Sequence, residues 1–382
     1  MALKQNTWTL NQWYDQDVAG NVSYSSFATG GMWSWGDSYR GQIGQNNSQP
    51  AGDISSPTQI PGTDWADLAN TTSNMGAGIT RDGELWIWGG TGEGGEFGQN
   101  DTVGYSSPVQ VPGTTWAAKS DEEFGGDRCK VHLSANTMAI KTDGTLWVWG
   151  WNQTGAVANN SNGGVAYSSP VQIGSATTWK YVSSMSTTMG AIKTDGTLWM
   201  WGKSHGGRMG NNESPSNTAY SSPVQIPGTT WRTLSLANFN VFGTKTDGTL
   251  WSWGYNVGGT MGQNQAFAQL TGFSSPTQLP GTDWKQCSAG TNDDAAAVKT
   301  DGTLWTWGRN EVGLLGLNQA HDLHISSPTQ VPGSTWKNVE FRAGGMYATK
   351  TDGTLWAWGD NAEGDLGQNN LINRSSPVQI PG

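Results

Sequence analysis

Charged residues and cysteines are scarce in this sequence of 382 residues. Charged side chains make up 13% of it and hydrophobic ones 35%, which is unlike the composition of a disordered chain. Two cysteines, Cys129 and Cys287, are too few for a disulfide framework, and neither lies in a CxxC pair. We therefore expect free thiols in a reducing compartment.

Long apolar runs and basic clusters are missing as well. No apolar run reaches the length of about 18 residues that a transmembrane helix needs. Residues 1–16 contain no apolar core of a secretion signal, so we expect synthesis in the cytoplasm. The net charge is −10 and no Lys/Arg cluster occurs, which argues against binding to a nucleic-acid backbone.

Tryptophan and glycine, in contrast, are abundant, with 23 and 55 copies. The motif Trp-x-Trp-Gly occurs seven times, at intervals of 51 to 61 residues. We predict that its indoles form the structural core, packed in pairs between neighbouring sheets: Trp33, Trp35, Trp86, Trp88, Trp147, Trp149, Trp199, Trp201, Trp251, Trp253, Trp305, Trp307, Trp356 and Trp358.

Three further elements recur with this motif. Each repeat contains Gly-x-apolar-Gly, in which the third repeat has Ala158 as the last residue, and then Ser-Ser-Pro. A third tryptophan follows each Ser-Ser-Pro except the last: Trp65, Trp116, Trp179, Trp231, Trp284 and Trp336. Five repeats contain Lys-Thr-Asp-Gly-Thr-Leu-Trp, which predicts a hairpin with a type I′ turn at Asp-Gly.

An open stack of such sheets would expose a tryptophan-lined face at each end, so the pattern predicts a closed ring. The whole chain is then one domain, with the last repeat completed by the N-terminal segment through either Trp13 or Trp8. The approximate repeats are residues 13–62, 63–113, 114–176, 177–228, 229–281, 282–333 and 334–382.

The order of these elements resembles the RCC1 repeat over about residues 13–382. The resemblance implies an all-β fold, a seven-bladed β-propeller with four-stranded antiparallel blades, closed by pairing of the N- and C-terminal segments. It implies no single function, because RCC1-like members include an exchange factor for Ran, a β-lactamase inhibitor and a plant UV-B receptor. Near-identical repeats with Ser/Thr/Asn/Gly-rich loops are also similar to RCC1-type proteins of tailed bacteriophages and marine bacteria.

Catalytic, cofactor-binding and metal-binding residues are not expected, and the chain is not predicted to be an enzyme. His321 and His324 form an H-x-x-H spacing that is incomplete as a metal site. The repeated aspartates, such as Asp143, are explained by turn chemistry. No nucleophile or nucleotide-binding motif occurs in a suitable context.

Candidate contacts with a partner lie where the repeats differ. An acidic insertion in the third repeat, about residues 120–131, carries Asp121, Glu122, Glu123 and Phe124. An aromatic residue also precedes Ser-Ser-Pro in four repeats, for packing under the loop or for contact with a partner: Tyr105, Tyr167, Tyr220 and Phe273.

Two functions remain open from the sequence. The first is a structural, attachment or protein-binding scaffold, such as a phage virion appendage or decoration protein, whose partner is a viral particle or a cell-surface component. The second is a soluble module that captures one protein or glycan ligand at a propeller face, in the manner of an inhibitor or a lectin.

Overall fold

A computed structural model of the chain describes most of residues 31–381. The described ranges are 31–46, 53–62, 64–71, 74–118, 129–161, 163–213, 218–265, 272–291, 293–319, 323–342 and 344–381. Within these ranges the regular structure is β, apart from a 3₁₀ turn at Glu311–Gly313.

The strands, in chain order, are β1 (Met32–Gly36), β2 (Ile54–Ile60), β3 (Trp65–Leu68), β4 (Asn70–Thr71), β5 (Met75–Thr80), β6 (Leu85–Gly89), β7 (Tyr105–Gln110), β8 (Val131–Leu133), β9 (Asn136–Ile140), β10 (Leu146–Trp151), β11 (Ala166–Gln172), β12 (Trp179–Met185), β13 (Thr188–Lys193), β14 (Leu198–Lys203), β15 (Ala219–Ile226), β16 (Trp231–Leu236), β17 (Asn240–Lys245), β18 (Leu250–Tyr255), β19 (Gly272–Gln278), β20 (Trp284–Ala289), β21 (Asp294–Lys299), β22 (Leu304–Gly308), β23 (Ile325–Val331), β24 (Trp336–Arg342), β25 (Gly345–Lys350), β26 (Leu355–Gly359) and β27 (Arg374–Gln379).

Each sheet is built from one continuous stretch of chain. The sets β12–β15, β16–β19, β20–β23 and β24–β27 are four-stranded and antiparallel, as is the set β3, β5, β6 and β7. The set β8–β11 forms another such sheet, to which β4 of the preceding stretch adds a parallel pairing with β8. The first strands β8, β12, β16, β20 and β24, with β4, line a common axial cavity. The fold is therefore a β-propeller with four-stranded antiparallel blades.

The first and last repeats differ in their described strands. The four described strands of the last blade all come from residues 336–379. The N-terminal segment lies outside the described residues, so its completion of the last repeat stays a prediction. The two-stranded sheet belongs to the first repeat, where β1 and β2 match the third and fourth strands of the other blades. Trp8 and Trp13 lie outside the described residues.

The Asp-Gly hairpins occur where the sequence predicts them, but their turns are not of type I′. In the turn after β9, Gly144 has φ +79°, whereas Asp143 is not among the residues with positive φ. Gly144 N donates to the Lys141 carbonyl, and the Asp143 carboxylate accepts from both the backbone N–H and the hydroxyl of Thr145. A type I turn followed by one left-handed glycine explains this geometry.

Neighbouring blades are joined by the second indole of each Trp-x-Trp-Gly motif. Trp149 is fully buried, and its Nε1 donates to the Glu96 carbonyl of the preceding Gly-x-apolar-Gly element over 2.8 Å. Six more such bonds run from Trp35, Trp88, Trp201, Trp253, Trp307 and Trp358 to the carbonyls of Asp365, Gln42, Ala156, Arg208, Thr260 and Leu314. The bond of Trp35 joins the first repeat to the last.

The first indole of each motif is less buried than predicted. Trp147 is only partly buried, and Trp33 is 50% exposed, so the prediction of a hidden core is wrong for this half of the set. Trp147 instead stacks beneath the ammonium group of Lys141, at 4.1 Å, and contacts the buried ring of Trp116. The third tryptophan of the repeat thus takes the buried place that the sequence assigns to the first.

Ser-Ser-Pro also connects neighbouring blades. The backbone N–H of Asn100 donates to the Ser168 carbonyl of the following blade, and Asn100 has φ +63°. Asparagine tolerates this left-handed conformation better than most residues. The same bond recurs from Asn46, Asn160, Asn212, Asn264, Asn318 and Asn369 to Ser106, Ser221, Ser274, Ser326, Ser375 and Ser55.

Candidate functional site

One end of the propeller carries the loops in which the repeats differ. Because the strands are antiparallel, the loops between first and second strands and those between third and fourth strands lie at the same end. The latter are the longer ones, spanning for example residues 152–165 and 309–324. We name this end the long-loop face, and the opposite end, with the Asp-Gly turns, the turn face.

The aromatic residues that precede Ser-Ser-Pro support these loops from below. Tyr105, Tyr167, Tyr220 and Phe273 are partly buried and pack against the hydrophobic core. The hydroxyl of Tyr105 donates to Asp101 over 2.7 Å, and that of Tyr167 accepts from Asn159 over 2.5 Å. They lie one to a blade and do not form one surface.

The acidic insertion cannot be placed on this face. Asp121, Glu122, Glu123 and Phe124 lie outside the described residues, as does His321 of the H-x-x-H spacing. Their proposed roles remain predictions.

Exposed apolar side chains on the long loops are a feature that the sequence reasoning missed. Val103, Val165, Leu323 and Ile372 each lie three residues before the Ser-Ser-Pro of a repeat, and each is between 52% and 61% exposed. Leu371 and Tyr39 are also more than half exposed on this face. The sequence signal that could have revealed them is their constant position before Ser-Ser-Pro within otherwise polar loops. Variable loops on a rigid scaffold usually carry the contacts of a protein.

The axial cavity is polar but small. It measures about 30 Å³ as bounded by the described residues, room for one or two water molecules. Glu340 in its wall accepts from Gln286 over 3.2 Å, and Arg342 donates to the Ala69 carbonyl and the Thr71 hydroxyl. These contacts join the first strands of neighbouring blades.

The buried nucleophilic groups near the axis are held in their neutral forms. Burial raises the pKa of the Cys287 thiol to about 12, and it raises the pKa of Tyr181 well above its usual range. A thiol in this environment is unreactive near neutral pH. The Nδ1 atom of buried His132 lies 2.9 Å from the Ser184 hydroxyl, so this ring links two blades.

Charge is distributed unevenly over the long-loop face. Asp37, Asp360, Glu363 and Asp365 gather where the first and last repeats meet; burial, with the negative charges of the other three, raises the pKa of Asp365 to about 6. On the fourth and fifth blades Lys203, His205 and Arg208 gather instead. Burial, followed by the charges of Arg208 and Lys203, lowers the pKa of His205.

Two general features limit the chemistry of the described part of the chain. No three His, Cys, Asp or Glu side chains in it come together in a way that could hold a metal ion. Likewise, no helix in the described ranges is both long and apolar enough to cross a membrane.

Comparison with known proteins agrees with this architecture. The family described as the regulator of chromosome condensation (RCC1) repeat matches residues 301–348 and 352–382. RUG3, a mitochondrial RCC1 domain-containing protein of Arabidopsis thaliana, is 26% identical over 91% of this chain and 82% of its own length. The human E3 ubiquitin-protein ligase HERC2 is 24% identical over 94% of this chain, which spans only 7% of HERC2.

The fold is shared with a solved structure at low sequence identity. Prp20p of Saccharomyces cerevisiae superimposes with a TM-score of 0.76 at 15% identity, over 92% of this chain and 85% of Prp20p. That similarity supports the fold alone. The superposition shows a β-propeller fold, and the repeat match and the sequence relatives show that the chain is similar to RCC1-like repeat proteins.

Proposed function

We propose that this protein is a non-catalytic scaffold whose long-loop face binds a protein partner. The observation that carries the proposal is the set of exposed apolar side chains at one offset in four blades. The residues common to all repeats are engaged in packing and in bonds between blades, whereas the side chains of these four are more than half exposed. Prp20p, the related fold, is described with binding to Gsp1p and histones, which supports a binding role without naming this partner.

We further propose that the scaffold is an attachment or decoration component of a larger particle, such as a virion. Support comes from the rigid ring with variable loops at one end, since such loops usually carry the contacts of a protein. A soluble module with one ligand is the alternative, and the two differ in native mass and in particle association.

Replacing Val103, Val165, Leu323 and Ile372 together with threonine is expected to abolish partner binding and leave the fold intact. Exposed sites of this kind change stability by only about 0.5 kcal/mol each. Binding is measured by co-sedimentation with purified particles or envelope fractions of the source organism, together with native mass spectrometry. The matched control replaces Thr142, Thr194, Thr246 and Thr300 on the turn face with serine. Equal binding by both variants, or a wild-type protein that stays monomeric and joins no particle, would contradict the proposal.

We also propose that the ring has seven blades, of which the first contains the two-stranded sheet β1–β2. The seven equivalent Trp–carbonyl bonds support this number, because they continue from the last blade to the first without a gap in the pattern. The open edge of the two-stranded sheet β1–β2 supports it as well, since the other blades have two more strands on that side.

Gly353 gives a test of this closure. It has φ +89° in the Asp-Gly turn of the last blade, and among the described residues nothing lies within 4 Å of a Cβ built there. At the matching Gly302 such a Cβ would lie 2.3 Å from the Ser334 carbonyl of the next blade. If a completed first blade fills that place, Gly353→Ala lowers the thermal midpoint of the full chain as much as Gly302→Ala does. A much smaller loss at Gly353 would contradict a completed first blade.

A further inference from the structure

Three aromatic rings form a cluster on the long-loop face beside two cations. The ring centroids of His205 and Tyr255 lie 5.2 Å apart, and that of Phe239 lies 6.2 Å from His205 and 6.4 Å from Tyr255. Phe239 is 36% exposed, although it lies in a short connection between strands. We call these residues, with Lys203 and Arg208, the aromatic–cation cluster.

Arg208 is buried, and no described residue gives it a negatively charged partner. Its residue is 6% exposed, its Nη1 donates to the Asn238 carbonyl over 2.5 Å, and its Nε has no hydrogen-bond partner among the described residues. Burial alone lowers the pKa of the guanidinium to about 10, with no carboxylate contributing. A buried cation without a counter-ion destabilises the free protein, and its field is strong in a low-dielectric surrounding. Such an uncompensated charge is a mark of a site that awaits an anion.

The repeats show that the fold does not require these side chains. The position of Arg208 is occupied in the other repeats by Gln42, Glu96, Ala156, Thr260, Leu314 and Asp365. Thr260 makes the corresponding bond to the next blade, from its hydroxyl to the Asp293 carbonyl over 2.8 Å. The position of Phe239 is occupied by Asn74, Ala135, Thr187, Asp293 and Gly344, none of them aromatic. Arginine and phenylalanine are therefore features of this one blade junction.

The cluster is held rigidly by the propeller. Trp253 Nε1 donates to the Arg208 carbonyl over 2.8 Å, and Tyr255 N donates to the Phe239 carbonyl over 2.9 Å. Both backbone positions are thereby fixed before a ligand arrives, which lowers the entropic cost of binding.

We infer that the aromatic–cation cluster is a subsite for an acidic segment of the protein partner, one that carries an aromatic side chain next to a carboxylate. The aromatic side chain packs on Phe239 and Tyr255, while the carboxylate lies at Lys203 and His205, in the field of Arg208. This inference rests on the proposed function, because it names the chemistry of the partner that the long-loop face would bind.

The test uses fluorescein-labelled peptides and the full-length protein. The acidic aromatic peptide is Asp-Glu-Trp-Asp-Glu, and its controls are Asn-Gln-Trp-Asn-Gln, Asp-Glu-Ala-Asp-Glu and Lys-Lys-Trp-Lys-Lys. Fluorescence anisotropy is expected to show binding of the first peptide, at least about tenfold tighter than any control, since tenfold corresponds to about 1.4 kcal/mol. A fluorescein-labelled oligogalacturonate provides an acidic ligand that is not a peptide.

Substitutions that copy the residue found at the same position of another repeat are expected to preserve the fold. Arg208→Thr and Phe239→Thr copy Thr260 and Thr187, and each is expected to weaken binding of the acidic aromatic peptide about tenfold. Arg208→Glu, which copies Glu96, is expected to abolish it. Thr260→Ala serves as the matched control in the next blade and leaves binding unchanged. Near-UV circular dichroism verifies the fold of each variant.

Several results would overturn the inference. These are equal binding of the neutral and acidic peptides, unchanged peptide binding by Arg208→Glu, or binding of oligogalacturonate without binding of any peptide. Co-sedimentation of the same variants separates this failure from that of the proposed function. If Arg208→Glu still joins the particle while the fourfold threonine variant does not, only the subsite is wrong. If neither variant loses particle binding, the proposal that the long-loop face binds the partner is wrong.

Discussion

Trp149→Ala is expected to lower the free energy of unfolding by about 4–5 kcal/mol, whereas Trp147→Ala, two residues away, lowers it by about 1–2 kcal/mol. Trp149 is completely buried between two blades and its centroid lies 5.8 Å from that of Trp116. Its removal leaves a cavity and deletes the bond to the Glu96 carbonyl. That carbonyl keeps a partner, the hydroxyl of Thr137 at 2.8 Å, so the cost comes mainly from packing. Urea unfolding followed by circular dichroism measures both variants.

The difference between the two variants tests whether the first indole of the motif belongs to the core. Trp147→Ala removes a partly solvated ring, together with its bond to the Thr145 hydroxyl and its contact with Lys141. Exposed cation–π contacts of this kind are worth about 0.5–1 kcal/mol. Trp33→Ala, at a half-exposed indole of the first repeat, serves as the reference and should cost least. Equal losses at Trp147 and Trp149 would show that both indoles are core residues, as the sequence alone predicts.

The sequence could not separate these indoles, because strand periodicity gives the face of a residue but not its depth. Trp147 and Trp149 alternate onto one face of β10, and that much follows from their spacing. Their burial differs because Trp149 lies against the preceding blade, whereas Trp147 lies near the Asp-Gly turn at the edge. Depth depends on where the neighbouring blade ends, which no single repeat encodes.

Repetition predicted the strands and the turns well and the contacts between blades poorly. The repeated motifs predicted the Asp-Gly hairpin and the strand that carries Trp-x-Trp, whereas the number of four strands in a blade came from the resemblance to the RCC1 repeat. The roles of Ser168 and Asn100 became visible only with two blades together, since they bond across the junction. The turn type was missed because Asp-Gly suits two geometries, and the side-chain bonds of Asp143 to Thr145 stabilise the one with a single left-handed residue.

The candidate site was missed because its residues occur in one repeat only. Sequence reasoning looked for insertions and for aromatic residues shared among repeats, and the shared ones proved to support loops. Arg208 and Phe239 instead stand out because one repeat departs from the others at a fixed position without changing its length. Comparing the repeats position by position would have found them, although their burial and mutual distance need the structure.

Gly248→Ala is expected to lower the free energy of unfolding by about 4 kcal/mol, through two separable effects. Gly248 has φ +81°, where an alanine costs about 1–2 kcal/mol in backbone strain. A Cβ there would also lie 1.9 Å from the Thr282 carbonyl oxygen of the next blade. The backbone cannot yield easily, because Trp284 N donates to the Gly248 carbonyl over 2.9 Å and anchors the first strand of that blade. Urea unfolding measures the loss.

Gly174 separates strain from collision, because it has φ +59° and nothing within 4 Å of its built Cβ among the described residues. Gly174→Ala should therefore cost only the strain, about 1–2 kcal/mol. Asparagine adopts the left-handed conformation more readily than alanine. Gly174→Asn should thus recover most of that loss, whereas Gly248→Asn should remain severe, since its Cβ meets the same carbonyl. If Gly248→Asn were as mild as Gly174→Asn, the two blades would not be in the close contact at this turn on which the rigidity of the ring depends.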